Sequence, residues 1–243
     1  MKKSLLFLAL CTGLARADDW SYSGSNDPSH WGDLKAEYQL CSTGKEQSPV
    51  DVRSSSEPHK GETLPLDSWK PAAYEWLNNG HTLQAQAQEP TQALKLDGRD
   101  YQLLQFHFHA RSEHALNGKY FPLEAHFVTR ADGKDLAVVA VFFTPGKENP
   151  TLAKLLEKTP AVNEKIALAE PLDIQPLFPA DKDHFRLRGS LTTPPCTENV
   201  QWLLLRHEVE ASPAQLEQLQ KLLGDNYRPL QPSNDRPIEA IDD

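Results

Sequence analysis

Gln105-Phe106-His107-Phe108-His109-Ala110 sets polar side chains against aromatic or small ones at every second position. That period belongs to a β-strand, where successive side chains point to opposite faces. His107 and His109 therefore share one face, and Phe106 and Phe108 the other. Glu124-Ala125-His126-Phe127-Val128 repeats the pattern and supplies a third imidazole. If the two segments are neighbouring strands, three imidazoles converge on one point. Three histidines with one open position hold a catalytic zinc, whereas structural zinc sites close the shell with four protein ligands. Taken alone, a His-x-His strand more often describes solvent-facing or hydrogen-bonded histidines than a metal site. Its company favours a metal: Gln105 shares the face of His107 and Glu124 that of His126. Metal-bound imidazoles commonly donate their second N–H to such groups.

Outward from this pair the chain reads as strands and turns. Strand signals occupy 73–78, 81–88, 93–96 and 101–110, with Asp97-Gly98 and Asn79-Gly80 as tight turns. Residues 136–143 are almost continuously apolar, as in a central strand buried on both faces. Segments 185–191 and 200–206 are further strands, joined by Thr192-Thr193-Pro194-Pro195-Cys196. Helices are few: a short amphipathic one at 151–158, and one at 212–223. The latter has Ser212 as N-cap, Pro213 at the first position, Gln215 completing a capping box and Gly224 just past the end. Residues 18–40 carry Trp20, Tyr22, Trp31 and Tyr38 with no clean period, an irregular arm packed by its rings.

The length of 243 residues fits one domain. Lys2 and Lys3, an apolar run from Leu5 to Leu10 and Ala15-Arg16-Ala17 read as a secretory signal over residues 1–17, cut after Ala17, leaving a domain over 18–243. The apolar run is too short to span a bilayer, and no later run has membrane length. Removing the leader takes away three basic residues and no acid, so the net charge goes from −9 to −12. Such a chain repels nucleic acid and anionic membranes. Two cysteines remain, Cys41 and Cys196, which in an exported protein read as one disulfide.

Taken together, Gln105 to His109, Glu124 to His126, Asn78-Asn79-Gly80-His81, Gln47-Ser48-Pro49-Val50 and Gly189-Ser190-Leu191-Thr192-Thr193-Pro194-Pro195 resemble the α-class carbonic anhydrases, in their exported bacterial form. The match extends over nearly the whole mature chain. The resemblance implies a mainly β domain built on a ten-stranded, mostly antiparallel twisted sheet with a few short peripheral helices. It implies reversible hydration of carbon dioxide to bicarbonate and a proton, by attack of zinc-bound hydroxide, with a minor esterase activity alongside. Zn2+ would be held by His107, His109 and His126, with Gln105 and Glu124 orienting the rings. Thr192 and Glu113 would be the gatekeeping pair, Thr193 would contact bicarbonate, and His81 would be the proton shuttle. Val128, Val138, Leu191, Val200 and Trp202 would form the apolar wall for carbon dioxide. Cys41 and Cys196 match the family's disulfide, and Ser48-Pro49 and Pro194-Pro195 match its cis peptide bonds. Such a protein is periplasmic or secreted, a monomer or a homodimer. Ala110 and Gln84 depart from the animal members. His30, His59, His114, His184 and His207 remain as structural or surface groups. Imidazole ligands also suit cobalt, iron or copper. A non-catalytic binding module on the same scaffold would typically lack one of the three ligands, and a zinc peptidase would carry His-Glu-x-x-His, which this chain lacks.

Overall fold

The structure is a computed structural model and describes residues 20–53, 57–90, 92–133 and 135–242; the signal sequence read over residues 1–17 lies outside them. The strands are β1 (Asp51–Val52), β2 (His59–Lys60), β3 (Tyr74–Asn78), β4 (Leu83–Ala87), β5 (Ala93–Leu96), β6 (Arg99–His109), β7 (Ala115–Leu116), β8 (Leu123–Arg130), β9 (Leu136–Pro145), β10 (Lys165–Ala167), β11 (His184–Ser190), β12 (Glu198–Leu205), β13 (Val209–Ala211) and β14 (Ile238–Asp242). Twelve of them form one twisted sheet. Ten lie along a continuous path, β10-β3-β4-β6-β8-β9-β12-β11-β14-β2, while β5 pairs with β6 and β13 with β9 off that path. The ten-stranded expectation thus describes the main path, and two short strands extend the sheet beyond it. Pairing is antiparallel from β10 to β9, then parallel between β9 and β12. β1 and β7 make a separate small parallel pair.

Alternation on the central strands feeds two cores. Phe106 and Phe108 of β6, Phe127 of β8, Val139 and Val141 of β9 and Leu203 of β12 face one side. There they meet Leu152 and Leu155 of helix α3 (Pro150–Glu157) and Leu216 and Leu219 of helix α4 (Pro213–Leu223), which follow the one-turn helices α1 (Trp31–Leu34) and α2 (Leu40–Thr43). Val128, Val138, Ala140, Phe142, Val200, Trp202 and Leu204 face the other side, together with Val50, Val52 and Phe121. Because both faces are covered, β9 is apolar along nearly its whole length. At α4, Ser212 accepts from the Gln215 backbone N–H and the Gln215 side chain accepts from the Ser212 N–H, the capping box expected from sequence. α3 begins one residue earlier than its periodicity suggests, because the Asn149 side chain caps the N–H groups of Thr151 and Leu152.

The arm is less irregular than its sequence suggests. Short helical turns cover Gly24–Asn26, Trp31–Leu34 and Ala36–Tyr38, and Trp20, Trp31, Cys41 and Cys196 pack as a third apolar cluster. The peptide bonds Ser48-Pro49, Pro194-Pro195 and Ala110-Arg111 are cis.

Candidate metal centre

Register brings the three imidazoles together. His107 of β6 pairs directly with His126 of β8, and His109 pairs with Glu124. The ring centroids of His107 and His109 lie 5.0 Å apart, those of His107 and His126 5.3 Å, and those of His109 and His126 4.6 Å. One ligand atom from each ring falls within 4.8 Å of the others.

Which nitrogen faces the centre follows from what the other nitrogen touches. Nδ1 of His107 lies 2.8 Å from Oε1 of Gln105, and Nδ1 of His109 lies 2.6 Å from the backbone oxygen of Asn226. Nε2 of His126 lies 2.7 Å from Oε1 of Glu124. Those three oxygens only accept, so each facing nitrogen donates and the lone pair sits on the opposite atom. The unshared nitrogens are therefore Nε2 of His107, Nε2 of His109 and Nδ1 of His126. Nε2 of His109 is buried without a hydrogen-bond partner. Burial, with the neighbouring imidazoles adding to it, pushes His107 well below the ordinary histidine pKa, and burial likewise lowers His109. Both rings are thus neutral near pH 7, the form that binds metal. Three imidazoles without a thiolate, each turning its unshared nitrogen toward one point, fit a zinc ion with one position left open.

Glu124 is the hub behind the rings. Its Oε1 also accepts from His114 Nδ1 at 2.8 Å, and its Oε2 accepts from the backbone N–H groups of Glu113 and His114 at 2.8 and 2.9 Å. Burial alone would raise this carboxyl, but the electrostatic attraction and hydrogen bonds of the His114 and His126 rings outweigh it and hold it well below the usual range. His114, left with the structural histidines by its sequence context, is a buried member of this network.

Glu113 is buried at the same centre. Oε1 accepts from the backbone N–H of Arg228 at 2.7 Å, while Oε2 has no hydrogen-bond partner and lies 3.4 Å from His109 Nε2. Thr192 is buried in the loop between β11 and β12 and makes no hydrogen bond to that oxygen in this structure. The loop is held from several sides. The Cys41–Cys196 disulfide closes its end, Gln47 Nε2 donates to the Cys196 carbonyl, and Trp202 Nε1 donates to the Ser190 carbonyl. Ser48 and Ser190 exchange hydrogen bonds between hydroxyl and backbone N–H in both directions. Gly189 is required beside them, since a Cβ there would stand 2.2 Å from Ser48 Oγ and 2.8 Å from Trp202 Cδ1.

The apolar residues expected from sequence lie in register beside the histidines. Val128 of β8 pairs with Val138 of β9, which pairs with Trp202 of β12, and the Trp202 ring lies 4.9 Å from that of His126. Val200 is buried in the same cluster with Leu191 packed against it, and Thr193 is half-buried in the loop. Gln84 of β4 pairs with His107. His81 stands outside the histidine cluster, its ring stacked on Trp20 at 3.8 Å and 10°.

Three contributors escaped the sequence reading. Asn226 and Arg228 come from a stretch without period or motif, and Trp20 lies in the arm, where only its aromatic character was visible.

Comparison with known proteins shows what the chain is similar to. The family model described as eukaryotic-type carbonic anhydrase matches residues 26–242. A carbonic anhydrase of Pectobacterium carotovorum is 42% identical over 239 residues, 96% of each chain. Among solved structures, a hyperthermostable carbonic anhydrase from a hydrothermal vent chimney superposes with a TM-score of 0.84 at 43% identity, covering 92% of this chain and 100% of the other. The Thermovibrio ammonificans α-carbonic anhydrase, solved with the inhibitor sulfanilamide, gives 0.81 at 42% identity, covering 90% and 98%.

Proposed function

The chain belongs to the eukaryotic-type, or α, carbonic anhydrases, enzymes that hydrate carbon dioxide, and from that membership we propose that it does so at the His107, His109 and His126 centre with a zinc ion as cofactor. Bound zinc lowers the pKa of a coordinated water to about 7, a value for which carbonic anhydrase is itself the standard example, so that a nucleophile is available at neutral pH. The residues of the chain hold, orient and exclude around that chemistry. Gln105, Glu124 and the carbonyl of Asn226 fix the tautomer and tilt of the three rings.

Glu113, fastened at Oε1, offers Oε2 as an acceptor. With the site loaded, the Thr192 hydroxyl, which makes no hydrogen bond to Oε2 in this structure, would turn to donate there, leaving the threonine oxygen to receive a hydrogen bond from the attacking water. This fixes the direction of the nucleophile's lone pair, a positioning effect. Val128, Val138, Leu191, Val200 and Trp202 give carbon dioxide, which has neither charge nor net dipole, a wall free of competing hydrogen bonds, and Thr193 meets the bicarbonate product. His81 takes up the proton released in turnover and passes it to buffer, since an imidazole both accepts and releases protons at working pH.

The observation that carries the reading is the convergence of Nε2, Nε2 and Nδ1 on one point from two paired strands. The disulfide suits an oxidising compartment, and with the leader sequence it supports a periplasmic or secreted enzyme. Stopped-flow hydration of carbon dioxide by the purified mature chain, with metal analysis of the same sample, tests the proposal. One zinc per chain and rapid hydration are expected; a pure chain that carries no metal and stays inert when zinc is supplied would overturn it.

A further inference from the structure

Asn226 is buried, and every polar group of its side chain is in use. Oδ1 accepts from the backbone N–H of Ala110 at 2.9 Å. Nδ2 donates to the backbone oxygen of Phe108 at 2.9 Å and to that of His81 at 3.1 Å. Its own carbonyl accepts from Nδ1 of His109 at 2.6 Å. One residue therefore touches the end of β6 on both sides of His109, the ring of His109 itself, and the loop that carries His81.

That loop is stiff within itself. Asn79 Oδ1 accepts from the N–H groups of His81 and Thr82 at 2.9 and 2.8 Å, and Asn78 Oδ1 accepts from Gly80 N–H at 3.0 Å. It is moored to β6 by Thr82 Oγ1, which donates to the Phe108 oxygen at 2.6 Å, and by Asn226. The His81 ring also stacks on Trp20 and Asn78 Nδ2 donates to the Pro160 carbonyl at 3.3 Å, so cutting either tie to β6 loosens the loop on that side while those contacts stay. Only the Asn226 mooring also reaches a ring of the metal centre. The chemistry demanded there is one acceptor and two donors on a short planar group, which a carboxamide supplies and a carboxylate or hydroxyl does not.

We propose that Asn226 is a positioning residue that joins the ligand strand to the His81 loop, so that one carboxamide governs both metal retention and the escape of the proton. The proposal rests on the reading of His109 as a ligand and His81 as the shuttle. In Asn226→Asp, two donated hydrogen bonds become oxygen facing oxygen while the shape is kept; in Asn226→Ala, all three side-chain contacts go and the carbonyl that orients His109 loses its brace. Thr82→Val cuts the other mooring without touching His109.

The test compares the zinc-loaded mature chain with these three variants. Zinc release to a colorimetric chelator is measured first, then carbon dioxide hydration in low buffer and in low buffer plus imidazole. Both Asn226 variants should release zinc at least about tenfold faster than the parent, in the range seen for partners of metal-bound histidines. Both should also slow in low buffer and recover with imidazole. Thr82→Val should slow in low buffer yet hold zinc at the parental rate. A folded Asn226→Asp that holds zinc like the parent, or transfers protons like it, overturns the proposal. Failure of both Asn226 variants to fold would assign the residue a purely structural role and overturn it as well. A parent chain that itself retains no zinc and hydrates nothing would instead bring down the metal reading, which separates the two failures.

Discussion

Replacing His107 and replacing His81 should part the two tasks of the site. His107→Ala removes one of the three proposed ligand nitrogens, so the purified variant should retain no stoichiometric zinc and show no measurable hydration. His81→Ala leaves the centre intact, so metal content should equal the parent's while only the buffer-dependent step slows, and added imidazole should restore it. A His81 variant that imidazole does not rescue would remove that residue from the shuttle role. At this scale the sequence was informative where chemistry sits on a period-two strand. Alternation set Gln105, His107, Glu124 and His126 on their strand faces, and the family resemblance supplied their roles. Asn226 was not legible, because it orients His109 through a backbone carbonyl, and every residue type has one.

Elements deliver these residues, and their failures can be forecast separately. Gly189 lies on β11 where the register with β12 shifts between Gly189 and Ser190, just before the loop with Thr192 and Thr193. An added methyl would drive into Ser48 and Trp202, so Gly189→Ala should cost about 1 to 3 kcal/mol of unfolding free energy, read by denaturant melts, and lower turnover with it. β3 supports a different forecast. Burial holds the phenol of Tyr74 above the ordinary tyrosine value of 10.0. As pH rises past 10, the unfolded chain sheds that proton before the folded chain does, so the folded state binds more protons and stability falls with pH. Tyr74→Phe should flatten this alkaline decline in a series of thermal melts. The strands and α4 were legible because a buried face imposes a period and a cap imposes a signature. The parallel register of β9 on β12 and the pair β1–β7 were not, since pairing partners far apart in sequence leave no local mark.

For the whole molecule, the tie between distant segments matters most. Cys41 and Cys196 are 155 residues apart, and Arg228 is buried between the same regions, donating to the Cys41 carbonyl, to Gln47 Oε1 and to the Ser48 carbonyl, each at 2.8 Å. Closing a loop of that length removes unfolded-chain entropy worth roughly 4 to 5 kcal/mol at most in the chain-entropy model. The double variant Cys41→Ser with Cys196→Ser should therefore unfold at clearly lower denaturant concentration, and a midpoint unchanged from the parent would show the bridge to be energetically idle. The disulfide was readable from the two cysteines that remain beyond the leader pattern, whereas Arg228 was not, because a lone arginine in a coil reads as surface.

The unlike ring atoms at the candidate metal centre carry a lesson for redesign. An asparagine amide reaches about as far from the backbone as a histidine δ nitrogen, and a glutamine amide about as far as an ε nitrogen. Amide mimicry at this centre is thus position-coded: glutamine is the isostere to try at 107 and 109, asparagine at 126, and the reversed pairings leave the donor atom short or overlong.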